Sequence, residues 1–352
     1  MTFTDYVQTV TQDKIVPKIV DTILGGNVVS LRFLANGKPW SGETMKFPIK
    51  HVKNSTSQGA FDGFDTFDTT KVNTRTKLSF NPTGYYQSVV LSGMEVDVND
   101  TEAKVLDLVK TEMESGMQDM LDSLGSAFYT AQSGKNFIGL PDIVDDGTTV
   151  TSYGGLARAT YTSVCGTKTA ATAGKASLSY LANLYDSASV GAQKPTLGIT
   201  TEAVWTLLES LFQPTISGNV KFDGYAQVTR NRVLPSRAGL QGEVGFDALF
   251  FRGTPIVRDE KCTSGYLYLL NEDTINWYGL KSHKYANISL SSNNIEQGPY
   301  AGADVPKSFG FCWTGLKDPV NQYAEIGQII LMGNLIGTNP RLNSMGTGIT
   351  TV

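Results

Sequence analysis

Hydrophobic positions recur every three or four residues along the stretch 99–132, which contains no proline. The apolar residues at this spacing are Val105, Val109, Met113, Met117, Met120, Leu121, Leu124, Phe128 and Ala131. The spacing places them on one face of a single helix. At 1.5 Å per residue this helix would span about 50 Å, roughly three times the length of an average globular helix. The pattern therefore predicts an elongated subunit.

The segment before this helix has an extended pattern. Residues 44–51 and 77–91 are typical of strands, and the polar stretch between them carries Phe61, Phe64 and Phe67. Together they predict a long β-hairpin with an irregular tip. Because an isolated two-stranded ribbon is only marginally stable in water, we expect this hairpin to lie on something outside its own chain.

Elsewhere the chain contains both helical and strand patterns in mixed order, and the expected class is α+β. Helices are predicted over 10–24, 176–188 and 201–211, and strands over 196–200, 246–251, 254–258, 266–271 and 322–332. Residues 137–174 have the composition of a loop. The polar tail from Gly333 onward is expected to pair at a sheet edge or to contact a partner.

Composition narrows the functional classes. The 352 residues are 40% hydrophobic and only 18% charged, and 16 Phe, 15 Tyr and 4 Trp argue against a disordered chain. A net charge of −4 disfavours dedicated binding to duplex DNA. Three widely spaced cysteines without a CxxC pair disfavour a disulfide framework and a zinc site. No signal peptide or membrane span is visible, so we expect a soluble protein made inside a cell.

Catalytic motifs are missing from the sequence. It contains no dinucleotide-binding glycine motif, P-loop, nucleophile elbow or HExxH motif, and its two histidines, His51 and His283, stand apart. We therefore expect neither enzymatic activity nor a cofactor. The spacing of Asp62, Asp65 and Asp68 is typical of a solvated loop tip. The alternative is that these residues bind a divalent cation between subunits.

Charge is distributed unevenly. Nine acidic residues lie between Glu95 and Asp122 against two lysines, whereas both arms of the hairpin are basic and contain no acid. Solvated faces are the simpler explanation. The sharper hypothesis is that the basic arms of one subunit dock on acidic surface of its neighbour, giving salt-sensitive steering. The candidate contact residues are Lys46, Lys50, Lys53, Phe61, Phe64, Phe67, Lys71, Arg75, Lys77, Glu102, Glu112 and Glu114.

The order of parts resembles the major capsid proteins of tailed bacteriophages. The closest local similarity lies in residues 249–259 (LFFRGTPIVRD), followed by 262–265 (CTSG) and 266–271 (YLYLLN). Residues 200–205 (TTEAVW) are similar to the strand-to-helix junction of the family's axial domain. The resemblance covers nearly the whole chain as an order of elements, although its individual motifs are degenerate.

The resemblance implies a Hong Kong 97-type fold. The N-terminal arm would be 1–39, the extended loop 40–93, and the part of the peripheral domain that carries the spine helix 94–151. The axial domain would be 152–242, and the return strands of the peripheral domain with the C-terminal tail would be 243–352. Hexamers and pentamers would close an icosahedral shell around double-stranded DNA, so the protein would reside in the virion after assembly in the host bacterial cytoplasm.

The resemblance also implies partners. These are other copies of the chain, a separate scaffolding protein, a portal, decoration proteins and packaged DNA contacted without sequence specificity, with no membrane. Assembly is expected to be non-covalent. The charge of residues 95–122 adds the hypothesis that an acidic spine faces the lumen and repels DNA. The alternatives are an encapsulin-like nanocompartment shell and, with less support, a β-rich tail protein or adhesin.

Overall fold

The computed structural model describes residues 28–98, 102–212, 228–229, 248–280, 286–287, 311–320 and 322–350. The predicted helix 10–24 and His283 lie outside these residues. The described helices are α1 Val28–Ala35, α2 Gly93–Val98, α3 Glu102–Phe128, α4 Leu140–Val144, α5 Leu178–Ala188 and α6 Glu202–Phe212. None of them combines the length and the apolarity needed to cross a membrane.

The strands form two main sheets and two short ribbons. They are β1 Lys38–Pro39, β2 Met45–Lys50, β3 Arg75–Phe80, β4 Thr83–Ser92, β5 Ser152–Tyr153, β6 Leu156–Ala157, β7 Thr167–Ala170, β8 Leu197–Thr200, β9 Val228–Thr229, β10 Ala248–Phe251, β11 Thr254–Arg258, β12 Leu267–Leu270, β13 Ile275–Gly279, β14 Ala286–Asn287, β15 Phe311–Trp313, β16 Ala324–Gly337 and β17 Ser344–Thr347. The mixture of helices and sheets confirms the predicted α+β class.

The six-stranded sheet is built around β16. This strand pairs antiparallel with β4 on one side and with β13 and β15 on the other. Side chains alternate between the two faces, and Val89 and Ile329 lie buried on the face that α3 covers. Gly116 of α3 packs so closely that a Cβ added there would lie 2.9 Å from Val89. The opposite face of β4 carries exposed Tyr86 and Val90.

The long helix α3 confirms the strongest sequence prediction. It runs for 27 residues without interruption, about 40 Å at 1.5 Å per residue. Its last turn tightens through backbone bonds from Tyr129 and Thr130 to the carbonyls three residues earlier. The chain then turns, and Phe137 packs against Phe128 and Trp277 with ring centroids 5.2 and 5.4 Å apart. The helix therefore ends where the aromatic core begins.

The seven-stranded sheet has the order β7-β17-β12-β8-β11-β10-β9. Its central strand β8 is parallel to β11 and antiparallel to β12. Leu181 of α5 and Val204 of α6 are buried in the core on one face, whereas Ile199 and Tyr268 belong to the main core on the other. The predicted strand-to-helix unit over 196–211 is confirmed as β8 followed by α6.

Residues 77–91 do not form the single strand that the pattern predicts. They divide at Asn81 and Pro82 into β3, which pairs with β2, and β4, which pairs with β16. Proline has no N–H to donate to a sheet, so a break at this position is favoured.

The prediction that the tail after Gly333 pairs at a sheet edge is also wrong. Strand β16 continues to Gly337, and β17 lies between β7 and β12 inside the seven-stranded sheet. Its Ser344 and Met345 are buried. The polar composition misleads because Ser344 is hydrogen-bonded in the interior, where its hydroxyl donates to the carbonyl of Leu184 at 2.9 Å.

Candidate subunit interface

The ribbon formed by β2 and β3 has one basic face. The register places Lys50 opposite Arg75, and Lys77 opposite Pro48, with Lys46 two residues further along the same side. Residues directly opposite each other in antiparallel strands share a face. All four basic side chains are exposed, and the described residues give none of them an ion pair. The ribbon therefore gathers four of the six predicted basic contacts on one surface.

The other face of the ribbon is apolar and lies on the chain's own core. The ring of Phe47 lies 5.5 Å from that of Tyr278, and the ring of Phe80 lies 5.3 Å from that of Tyr153. Leu78 between them is fully buried. The expectation that the hairpin has nothing of its own chain to lie on is therefore wrong for its base.

That expectation holds for the tip of the loop 51–74, which we call the distal loop, whereas at its start the ring of His51 lies 5.1 Å from that of Tyr161. Phe61 and Phe67 are 67% and 69% exposed, and Phe64 is fully exposed. The rings of Phe61 and Phe67 meet edge to face at 5.1 Å, which leaves Phe64 alone at the end. Lys53 and Lys71 are exposed on its two flanks. Large aromatic side chains that are exposed together are typical of interaction surfaces.

Hydrogen bonds give the distal loop a defined shape. The Asp65 carboxylate accepts from the Asp62 N–H at 2.8 Å, and the Asp62 carbonyl accepts from the Asp65 N–H at 2.9 Å. The Ser57 hydroxyl bridges the loop to the Thr70 carbonyl at 2.7 Å. Hydrogen bonds from Thr70 lower the pKa of Asp68. The side chains of Asp62, Asp65 and Asp68 therefore accept hydrogen bonds that stabilise the turns of the loop.

The acidic stretch is partly neutralised within the chain. Asp122 pairs with Lys261 at 2.7 Å, and this bond raises the pKa of the lysine. Asp97 accepts a hydrogen bond from the Tyr323 hydroxyl. Glu112 is partly buried on α3, and the side chains of Glu102 and Glu114 lie outside the described residues. The roles of Glu102, Glu112 and Glu114 in subunit contacts therefore stay predictions.

Buried ionisable groups, which the sequence did not point to, join elements of the fold. The carboxylate of Asp259 accepts from the Val29 N–H of α1 at 3.2 Å and from the Tyr129 hydroxyl beyond α3 at 3.0 Å. Burial raises the pKa of Asp259. Arg158 is buried beside Asp145 and donates only to carbonyl groups of its own chain. Both groups are satisfied by structural partners.

Comparison with known proteins identifies the fold. Neither a protein-family model nor a curated protein sequence matches the chain. Among solved structures, the capsid asymmetric unit of cyanophage A-1(L) is similar with a TM-score of 0.66 at 15% identity, covering 96% of this chain and 97% of that one. The SrpI encapsulin of Synechococcus elongatus PCC 7942 is similar with a TM-score of 0.57 at 10% identity, covering 100% and 97%.

A third structure, from Mycobacterium phage Ogopogo, has a TM-score of 0.51 at 12% identity and covers 99% of both chains. In all three the similarity extends over nearly the full length of each chain, so it concerns the whole architecture and not one shared motif. The chain therefore has the fold that the cyanophage capsid protein shares with the SrpI encapsulin, and the resemblance inferred from the sequence is confirmed at the level of the fold.

Proposed function

We propose that this protein is the major capsid protein of a tailed double-stranded DNA phage and that it assembles through hexamers and pentamers into an icosahedral shell. The observation that carries the proposal is the distal loop with its exposed aromatic group, on a chain that has the fold of phage capsid proteins. A lone chain leaves this loop in water, whereas a neighbour in a shell would cover it. The role is structural, and no catalytic chemistry is assigned.

In this proposal the chain has the Hong Kong 97-type domains. The arm is 1–39, the extended loop 40–93, the peripheral domain with α3 as spine helix 94–151, the axial domain 152–242, and the return strands with the tail 243–352. Strand β8 pairs with β11 and β12, so the axial and return segments contribute to one sheet. The boundary at 242 therefore separates two segments of the sequence, but strands from both segments belong to one sheet.

The proposed partners are other copies of the chain, a separate scaffolding protein, a portal, decoration proteins and the packaged DNA. Assembly takes place in the bacterial cytoplasm and the product resides in the virion. An acidic spine turned toward the lumen would repel phosphates, and Asp119, which is exposed on α3, would be available for this.

An encapsulin-like shell is the second candidate, because the SrpI encapsulin shares the fold over the full chain. The same subunit contacts would serve both kinds of shell. The two differ in content, since a phage capsid holds DNA and a nanocompartment holds protein cargo.

Negative-stain electron microscopy of the purified protein tests the proposal. Icosahedral shells or uniform hexamers are the expected result. A stable monomer at high concentration would contradict it, whereas particles from the native source that lack DNA and hold one enzyme would favour the encapsulin. Trimers or fibres would instead indicate a tail protein or adhesin.

Reversing charge on the ribbon should slow assembly. In a variant with Lys46→Glu, Lys50→Glu and Lys77→Glu, we expect the initial rate to fall by about tenfold or more at low salt, because steering between opposite charges is lost. Added salt should slow the wild type but not this variant. Light scattering across a salt series measures both effects.

The matched control reverses Lys135, Lys175 and Lys194, which are exposed on other parts of the chain and change net charge equally. The control should keep the wild-type salt dependence. If the ribbon variant assembles at the wild-type rate with the wild-type salt dependence, the basic face does not steer assembly.

A further inference from the structure

Two adjacent residues of the distal loop, Asp62 and Gly63, are held in a geometry that favours a chemical change of the backbone. The N–H of Gly63 donates to Oδ1 of Asp62 at 2.8 Å. The carboxyl carbon is bonded to that oxygen, so it is held beside the nitrogen of the next residue. A nitrogen and a carboxyl carbon that are held together react much faster than the same groups in a freely rotating chain.

The reaction that this contact favours forms a cyclic imide. The Gly63 nitrogen bonds to the side-chain carboxyl carbon of Asp62, and its hydrogen leaves with the hydroxyl of the carboxylic acid as water. A second water molecule then opens the imide at either of its carbonyl carbons. One opening restores aspartate. The other gives isoaspartate, in which the backbone runs through the former side-chain carboxyl carbon, and no further reactant is needed.

The chain contains three further sites of the same type, at which Asp or Asn precedes Gly. They are Asn36–Gly37, Asp146–Gly147 and Asp223–Gly224, and the last lies outside the described residues. Glycine favours the reaction at each site because no side chain shields its nitrogen or restricts its backbone. The sequence alone would rank Asn36–Gly37 first, since the amide of asparagine loses ammonia more readily than a carboxyl group loses water.

At the two other described sites the glycine nitrogen is bonded elsewhere. The Gly37 N–H donates to the carbonyl of Leu34 at 3.1 Å, at the end of α1. The Gly147 N–H donates to the carboxylate of Asp145 at 2.9 Å and not to that of Asp146, whose own oxygen accepts from the N–H two residues further on at 3.0 Å. The contact between a side chain and the following nitrogen is therefore particular to the distal loop among the described sites.

The surroundings of Asp62 and Gly63 also leave room for the ring to form. Asp62 is exposed, and nothing lies within 4 Å of the position that a Cβ on Gly63 would take. A Cβ on Gly147 would instead lie 3.1 Å from that of Arg158, whose side chain is buried. Ring closure rotates the backbone around the reacting pair, so it needs the open space that the distal loop provides.

An isoaspartate at position 62 would change the shape of the distal loop. The Asp62 carbonyl accepts from the Asp65 N–H at 2.9 Å and closes the turn that contains the fully exposed Phe64. In isoaspartate this carbonyl becomes part of a free carboxylate outside the backbone, and the chain gains a methylene carbon. The turn then loses its closing bond, so Phe64 is no longer held at the end of the loop.

We infer that Asp62–Gly63 is a site of spontaneous isoaspartate formation, which limits the time for which the distal loop of an unassembled chain keeps the shape that assembly needs. The chemistry at Asp62 does not depend on the proposed function, whereas its effect on assembly rests on that function. A neighbour that covers the loop would restrict its backbone, so assembled copies should form less isoaspartate than unassembled ones.

Peptide mapping of purified protein stored for weeks in warm neutral buffer tests the site. We expect isoaspartate at Asp62 to exceed that at Asp146 by about tenfold or more, because the Asp62 carboxyl is held against the following nitrogen. Storage in water enriched in heavy oxygen should label the Asp62 peptide, since water opens the imide. Equal formation at the two aspartates would overturn the inference, and so would a faster change at Asn36.

The variant Gly63→Ala isolates the mechanism. Gly63 does not have positive φ and the added methyl group meets open space, so the variant should fold as the wild type does. The methyl group shields the nitrogen, and we expect isoaspartate at Asp62 to fall about tenfold. Gly59→Ala is the matched control, because Gly59 lies in the same loop with equal space around it. It should leave the rate at Asp62 unchanged, and equal rates in the two variants would overturn the inference.

Assembly of fresh and stored protein separates the inference from the proposed function. Stored wild type should need a higher concentration to assemble than fresh wild type, whereas stored Gly63→Ala should assemble as it does when fresh. If isoaspartate forms at Asp62 but stored and fresh wild type assemble alike, the inference fails and the proposed function stands. If fresh wild type forms no assemblies, the proposed function and the stated effect on assembly fail, while the peptide map still decides the site.

Discussion

Replacing Arg158 with alanine should lower the free energy of unfolding by about 3–5 kcal/mol, since this removes one partner of a buried ionic group. The arginine side chain has no exposed surface, and its Nη1 lies 3.7 Å from Asp145. Its guanidinium donates to the backbone carbonyls of Asp142, Ile143, Val150 and Val164. Alanine would leave these carbonyl acceptors without their donor and would remove the positive charge beside Asp145, whose carboxylate keeps its backbone N–H donors and Lys168.

Urea unfolding of the unassembled chain measures this loss. Arg258→Ala is the matched control, because Arg258 pairs with Glu202 at 3.1 Å on the surface, where the two side chains are 48% and 75% exposed. The control should lose less than about 1 kcal/mol. Equal losses in the two variants would mean that the buried network does not hold the chain between α4 and β7 together.

The partner Asp145 adds a dependence on pH. Burial alone would raise its pKa, but hydrogen bonds from the N–H groups of Val150, Gly147 and Thr149 outweigh burial and lower it. A lowered pKa in the folded state means that the stabilisation is present above the pKa of the unfolded chain and is lost as pH falls through the folded value. The stability difference between wild type and Asp145→Asn should therefore shrink in acid.

Replacing Phe61, Phe64 and Phe67 together with serine should abolish assembly at concentrations where the wild type assembles. Burying three phenylalanines against a neighbour contributes on the order of 5 kcal/mol per contact. Its loss corresponds to a more than thousandfold weaker association, about tenfold for each 1.4 kcal/mol. Sedimentation across a concentration series locates the assembly threshold.

Folding should be nearly unaffected by the triple change, because these side chains are exposed in the single chain. Phe64→Ser alone should raise the threshold by a smaller amount without disturbing the ring contact between Phe61 and Phe67. Leu178→Ser with Val190→Ser, two exposed positions elsewhere, should leave the threshold in place. An unchanged threshold in the triple variant would exclude the distal loop from the subunit contacts.

Elements encoded by local pattern could be predicted from the sequence. Helix α3 has an unbroken apolar stripe, and the unit of β8 and α6 follows the change from a strand pattern to a helical one. The hairpin of β10 and β11 turns at Arg252 and Gly253, and both residues have positive φ. The Arg-Gly pair between two apolar runs therefore predicted the position of this turn correctly. In each case the determining residues are close in sequence.

Elements that depend on distant partners could not be predicted in this way. Helix α1 begins with two valines, which favour strands, yet its first turn is fixed by Asp259 and its Arg32 pairs with Glu272. The alternating pattern is the same on both sides of Pro82, so it does not reveal that β3 and β4 belong to different sheets. Tertiary contacts decide both cases.

The candidate interface likewise contains parts that the sequence predicts and parts that it does not. The basic arms and the three phenylalanines are visible in the sequence, because charge and aromatic residues are grouped there. The burial of the ribbon base is not, because it depends on Tyr278 and Tyr153, which lie far along the chain. The exposure of Tyr86 and Val90 was also missed, since alternation in β4 predicts two faces without telling which one the protein leaves open.

Strands β16 and β17 are synthesised late but pair with strands synthesised much earlier, so folding depends on the order of synthesis. Thr83 of β4 and Gly333 of β16 pair across 250 residues, and β17 enters the other sheet still later. The six-stranded sheet cannot be completed until residue 337 has left the ribosome, and the seven-stranded sheet cannot be completed until residue 347 has done so. Such non-local pairing folds slowly and leaves apolar strands unpaired in the meantime. The yield of native protein should therefore be limited by chaperone capacity and by temperature during synthesis.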